Sequence, residues 1–271
     1  GARGVLGSLL ARERTSADLT RQAYGRRLES SLQRREFQVT TFARLFDRRC
    51  EVVEWVPGFV SSPAVAVGSH GGDVTLWWPL DPGRKPEQVV EGKGKGGSIC
   101  EMKFVFDDCA TLATASHDQC VKLHHLGSGR GDRDILFDTG DRDHWFTSLD
   151  WSRGHSALLA VDNRGTLYLF DARAGLLEAR HKLGRAKLQH AEVSRHADSL
   201  LAVAANDRTV ALYDIRRLGG GALAVEETAS IPTCATFAPL GMRQRLLCTT
   251  QGIPDKGVEP QCLVYDVSAG G

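Results

Sequence analysis

The sequence predicts an all-β chain, a β-propeller built from a repeated small sheet and preceded by an α-helical segment. Three observations predict it. Beyond about residue 50, short apolar runs alternate with Gly/Asp/Asn/Ser turns, and the helical periodicity of the earlier part disappears. One unit then recurs in a fixed order: small residues, a polar turn, then alternating apolar residues that end in an aromatic or its substitute. The unit returns at a step of about forty to fifty residues, the length of one propeller blade.

The copies can be read in turn. The first is Val65-Ala66-Val67-Gly68-Ser69, the turn His70-Gly71-Gly72-Asp73, and Val74-Thr75-Leu76-Trp77. The second is Leu112 to Ser116, His117-Asp118-Gln119-Cys120, and Val121 to His124. The third is Leu158 to Val161, Asp162-Asn163-Arg164-Gly165, and Leu167 to Asp171. The fourth is Leu201 to Ala204, Asn206-Asp207-Arg208, and Val210 to Asp214. A looser fifth runs from Leu246 to Thr250 and, after a long turn, from Cys262 to Asp266. Period-two alternation places alternate side chains of each strand in the packing between blades. A ring of repeats must close on itself or cap its ends. With five copies and no cap, the expectation is a ring of about seven blades, of which this chain carries five.

The segment before the repeats reads differently. Residues 1–45 are expected to form a basic helical segment and residues 46–271 a partial propeller. Within residues 1–49 there are eleven arginines, no lysine and five acids, although the whole chain carries only +1. Over 16–36, Ser16 or Asp18 can cap a helix, and Leu19, Ala23, Tyr24, Leu28 and Leu32 recur on one face. Such a stretch is either a solvated helical face or a basic arm for nucleic acid or an acidic partner.

Composition excludes several classes. The 42% hydrophobic and 25% charged content is that of a globular chain. No apolar run reaches membrane-spanning length. The seven scattered cysteines contain no Cys-x-x-Cys, which argues against a zinc site or a disulfide framework and for a reducing compartment. No cofactor is expected. Ser116-His117-Asp118 is not a catalytic triad, because neighbours on one turn do not converge. There is no Gly-x-Ser-x-Gly and no His-Glu-x-x-His, so no enzyme is expected. His124-His125 reads as a strand end, and Trp77, Trp145 and Trp151 as packing between blades.

Several blocks carry a family likeness. They are Phe46-Asp47-Arg48-Arg49, Trp55-Val56-Pro57, the first repeat through Trp77, and Gly96-Gly97-Ser98-Ile99 with Lys103-Phe104. Further on come Trp145 to Asp150, Asp162-Asn163 with Gly165, and Asp207 to Val210 with Asp214-Ile215-Arg216. In order, from about residue 20 to 266, the chain resembles the small WD-repeat subunits of UV-damaged-DNA-binding heterodimers. That resemblance implies a nuclear protein that binds damaged double-stranded DNA in nucleotide excision repair. It also implies a substrate receptor docked on the large multi-propeller adaptor of a cullin-RING ubiquitin ligase, with histones as a further candidate partner. A WD-repeat scaffold or receptor that does not bind DNA is the alternative.

The resemblance also implies sites. Arg48 and Lys187 match DNA-contacting positions; their plain readings are a surface arginine beside Asp47 and a loop lysine. His70 stands where the family usually has lysine, and a neutral imidazole attracts phosphate weakly. Lys93 and Lys95, in Gly92 to Ser98, offer ammonium groups beside backbone N–H groups, or simply a flexible connector. The helical face with Leu28 and Leu32, and the aromatic-Asp-x-Arg ends Asp171/Arg173 and Asp214/Arg216, match partner-docking features. The plain reading of the latter is ion pairing within a blade. The lesion-wedging Phe-Gln-His hairpin of the family is expected after the fifth blade, so this chain is expected to keep phosphate contacts and lose lesion discrimination.

Overall fold

A computed structural model describes residues 45–58, 62–92, 94, 97–106, 108–126, 133–238, 245–251, 257 and 259–267. The helix expected over 16–36, with Leu28 and Leu32, lies outside the described residues, as do Lys93 and Lys95. The repeats fold as five antiparallel sheets within one compact unit, Ala43–Gly271. The first blade holds β1 (Cys50–Trp55), β2 (Val65–Ser69), β3 (Val74–Trp77) and β4 (Glu87–Val90). The second holds β5 (Ile99–Phe104), β6 (Thr111–Ser116), β7 (Cys120–His125) and β8 (Arg133–Asp138). The third holds β9 (Phe146–Ser152), β10 (Ala157–Asp162), β11 (Thr166–Asp171) and β12 (Leu176–Lys182). The fourth holds β13 (Leu188–Val193), β14 (Leu200–Ala205), β15 (Thr209–Asp214) and β16 (Ala224–Glu227). The fifth holds β17 (Pro232–Phe237), β18 (Arg245–Thr250) and β19 (Cys262–Asp266). Each expected repeat is the second and third strand of one blade.

Strands pair in chain order within each blade, and each first strand lies against the first strand of the next. The sheets therefore range around an axis lined by β1, β5, β9, β13 and β17. Side chains staple these inner strands. Asp150 Oδ2 accepts from Val193 N at 2.7 Å, and Glu192 accepts from Thr236 Oγ1 at 2.7 Å and Phe237 N at 3.0 Å. Lys103 Nζ reaches Glu54 Oε2 at 3.3 Å.

The core lies between blades, as the alternation predicts. On β6, Leu112 packs towards the first blade, whereas Ala113 and Ala115 pack towards the third. On β14, Leu201 and Val203 face the third blade, and Ala202 and Ala204 the fifth. These second strands are buried on both faces, so small residues alternate with large ones and neighbouring sheets can close. Of the tryptophans, Trp151 packs between blades, edge-on to Phe106 at 5.3 Å. Trp77 is half-buried, and its neighbour Trp78 takes the core place at 2% exposure, with Arg84 stacked 3.4 Å over its ring. All seven cysteines are free thiols. Among the described residues no helix is long and apolar enough to cross a membrane.

Candidate nucleic-acid interface

Antiparallel order assigns every loop to one of two faces. Each first strand begins on what we call the front face. The turn from second to third strand and the connector to the next blade lie there too. The other two loops of each blade lie on the back face. Arg48 precedes β1 and Lys187 precedes β13, so both stand on the front face, as do the His70 turn and the described residues of the connector between β4 and β5. Asp171/Arg173 and Asp214/Arg216 follow third strands and stand on the back face. Of the described residues, Arg48, His70 and Lys187, matched to DNA, are thus separated from Asp171/Arg173 and Asp214/Arg216, matched to a partner, by the thickness of the blades.

A repeated hydrogen bond fixes the front rim. The residue opening each polar turn donates its N–H to a carbonyl just ahead of the first strand. The pairs are His70 to Arg49 (2.8 Å), His117 to Ser98 (2.9 Å), Asn163 to Trp145 (3.1 Å), Asn206 to Lys187 (2.8 Å) and Gln251 to Ile231 (2.8 Å). Arg49, Ser98, Trp145, Lys187 and Ile231 are therefore equivalent positions around the opening. By this register the partner of Lys187 in the first blade is Arg49, one residue beyond the arginine singled out from sequence.

A second repeated bond ties each turn to the connector leaving the same blade: Gly94 N to Gly71 O (3.0 Å), Thr139 N to Gln119 O (3.1 Å), Leu183 N to Gly165 O (2.9 Å) and Thr228 N to Arg208 O (2.8 Å). In the first blade the approach leaves no room for a side chain. A Cβ at Gly92 would lie 2.2 Å from Gly71 O. Gly92 N is further bound to Asp73 Oδ1 at 3.0 Å, and Gly97 N to Gly94 O at 3.2 Å. The N–H groups of Gly92, Gly94 and Gly97 are spent inside the fold. The reading of the connector as a phosphate cradle loses these three donors; Lys93, Lys95 and Gly96 lie outside the described residues.

The rim side chains differ in their engagement. Arg48 is exposed and lies across the glycine turn, its Nη1 3.1 Å from where a Gly71 Cβ would stand. Arg49 is 72% exposed and pairs with Glu51 at 2.7 Å. His70 Nδ1 also meets Glu51, at 2.7 Å. Lys187 is half-buried, and among the described residues no ion pair engages it. Its charge reaches across the opening. Burial lowers the His117 pKa, and the charges of Lys187 and His70 lower it further. Burial pushes the Cys100 thiol up to about 12, with Lys187 opposing. Trp145 is half-buried at the rim, its ring 5.6 Å from that of His117 and tilted 60°. Sequence reasoning placed Trp145 in blade packing and left His117 without a role. The blade register, which aligns Trp145 with Lys187, was the signal available.

On the back face, Asp171 Oδ1 accepts from the N–H groups of Arg173 and Ala174, both at 2.9 Å. The Arg173 guanidinium sits 5.8 Å from the Phe106 ring. Arg216 forks onto Asp214, Nε to Oδ1 at 3.0 Å and Nη2 to Oδ2 at 2.7 Å, and these bonds bring the Asp214 pKa down to about 2. The plain reading, pairing within a blade, describes Asp214/Arg216, with Arg216 still 63% exposed.

Fold and rim together define a WD-repeat β-propeller whose front opening is edged by arginine, lysine, histidine and tryptophan. No family model matches the chain. It is 35% identical over 179 residues to DNA damage-binding protein 2 of Gallus gallus, covering 64% of this chain and 34% of that one. It is 30% identical over 229 residues to DNA damage-binding protein 2 of Mus musculus, covering 79% and 51%. The protein of that name in Danio rerio is 30% identical over 184 residues, covering 68% and 36%. These relatives bear out the likeness seen in the blade motifs, and the chain spans about a third to a half of their length. Among solved structures, Chaetomium thermophilum Raptor superposes with a TM-score of 0.66 at 12% identity, covering 83% of this chain and 20% of that one. The computationally designed Ika8 protein gives 0.54 at 16% identity, covering 75% and 55%. Both show the fold alone.

Proposed function

We propose that this chain binds damaged duplex DNA through the front face of its propeller, as a recognition subunit of nucleotide excision repair in the nucleus. The observation that carries the reading is the convergence of Arg48, Arg49 and Lys187, from the first and fourth blades, on one rim. Cations on a rim bind phosphates by releasing counterions, which gives affinity without sequence preference. Preference for a lesion then comes from deformation. A damaged pair is already poorly stacked, so turning it out of the duplex costs less than turning out an intact one. The exposed ring of His117 and the half-buried ring of Trp145, tilted 60° to one another beside the opening, each offer an aromatic face to such a base.

We take residues 1–45 as a basic helical segment separate from the propeller. That segment, with Leu28 and Leu32, and the back face, with Asp171/Arg173 and Asp214/Arg216, would dock a ligase adaptor. Exposed Trp55, Leu80, Leu176 and Leu223 fall at the back-face ends of the first, third and fourth blades and support a protein contact there. Histones would be reached through the same assembly. Recognition of this kind uses no catalytic chemistry.

The test is fluorescence anisotropy with a short labelled duplex, intact or carrying an abasic site, over a series of salt concentrations. Lys187→Ala is expected to weaken binding about three- to ten-fold and to flatten the salt dependence by about one counterion. A chain that binds neither duplex at low salt is the scaffold of the alternative reading.

A further inference from the structure

Among the described residues, the first blade carries a feature that its counterparts lack. Arg49 and His70 converge on a single oxygen of Glu51. Arg49 Nη2 stands 2.7 Å and Nε 2.8 Å from Glu51 Oε1, and His70 Nδ1 stands 2.7 Å from the same atom. The two bases are themselves 3.4 Å apart. Glu51 is the most shielded of the three, at 23% side-chain exposure against 72% for Arg49 and 48% for His70. At the equivalent place in the fourth blade, Lys187 has no carboxylate on it among the described residues.

We propose that Glu51 and His70 form a proton-dependent clamp on Arg49 that sets the affinity of the front rim for polyanions. With His70 neutral, the Glu51 carboxylate is balanced by Arg49 alone, and a phosphate must compete with it for the guanidinium. With His70 protonated, the imidazolium takes up that oxygen, and Arg49 turns to the phosphate with its full charge. The trio passes from net zero to +1 as one proton binds.

The charged groups facing His70 can be named. Arg49 immediately precedes β1, Glu51 lies in it, and Arg48 lies over the adjoining turn. His117 of the second blade feels the charges of both His70 and Glu51. The Glu51 carboxyl is itself held below its ordinary range: burial raises it, but hydrogen bonds from Arg49 and His70 outweigh that. The proposal rests on the reading of the front face as a nucleic-acid surface and adds its regulation.

The experiment measures affinity for a labelled intact duplex at fixed low salt, at about pH 8 and about pH 6. It compares the full chain with Glu51→Gln, His70→Gln, His117→Gln and Lys187→Ala. The expected result is that the unmodified chain binds about five-fold tighter at the lower pH, by proton linkage. Glu51→Gln is expected to bind about five-fold tighter at the higher pH, having lost the competing carboxylate. His70→Gln should lose the pH response, while His117→Gln keeps it. If Lys187→Ala weakens binding but Glu51→Gln does not tighten it and His70→Gln still responds to pH, the clamp is overturned and the interface stands. If Lys187→Ala binds as well as the unmodified chain, the interface is overturned and the clamp with it.

Discussion

At the scale of single residues, the front face is ruled by what cannot be changed. Gly92 passes so close to the Gly71 carbonyl that any side chain must push two loops apart. Gly92→Ala should destabilise the fold by about 2 kcal/mol or more, since the clashing atom is backbone and cannot swing away. Thermal melting checks this; an unchanged midpoint would show that the connector yields freely. The residue scale is also where sequence was least legible. Arg48 and Arg49 are adjacent, and only the hydrogen bond from His70 N to the Arg49 carbonyl shows which is equivalent to Lys187. His70 was read as a weakened phosphate contact. Its pairing with Glu51 was invisible because one stands in the turn after β2 and the other in β1, nineteen residues apart. Long-range pairs of this kind leave no periodic trace.

At the scale of the element, the polar turns are small folded units. In the third blade Asp162 is fully buried and answered on every side. Its Oδ2 meets His144 Nε2 at 2.7 Å and the Tyr168 hydroxyl at 2.9 Å, while Oδ1 accepts from Arg164 N at 2.9 Å and Thr166 N at 2.7 Å. Asp162→Ala strips four partners at once and should cost about 3 kcal/mol or more, measured by urea unfolding. Asp162→Asn, which keeps an acceptor, should cost less; equal losses would argue against a hydrogen-bonding role. The element scale was the most legible. An Asp in each turn and alternation after it are local rules, and they located the second and third strands of the five blades. The outer strands escaped: β8, β12 and β16 are exposed along much of their length, and β4 is a four-residue strand with one buried position, so no hydrophobic pattern marks them. In the second blade, Ser116 and Lys122 both bind Asp118, while His117 turns to Trp145, so the Ser-His-Asp run divides as its adjacency requires.

At the scale of the molecule, charge is sorted by position. The front rim carries Arg48, Arg49 and Lys187, whereas the axis below it holds Glu54, Glu101 and Asp150 around Lys103, with Glu192 acting on Asp150. Burial raises the Glu101 pKa from 4.5 to about 7 and that of Asp150 from 3.8 to about 6, with Lys103 opposing in both cases. The sign of the consequence follows from linkage. Between its unfolded and folded pKa values Glu101 is protonated in the fold and ionised in the unfolded chain. Stability should therefore fall as pH rises from about 4.5 to about 7 and level off above that. Glu101→Gln should flatten the profile, read from melting midpoints across that range; an unaltered slope would assign it elsewhere. Whole-chain composition could not show this placement, because a net +1 carries no positions. The repeated bond at each first strand has a last consequence. Five carbonyls hold five rim side chains in one backbone setting, so the identity of each is uncoupled from the architecture that presents it. The ring behaves like a keyboard: a cation erased at Lys187 alters what the opening attracts while every blade keeps its frame.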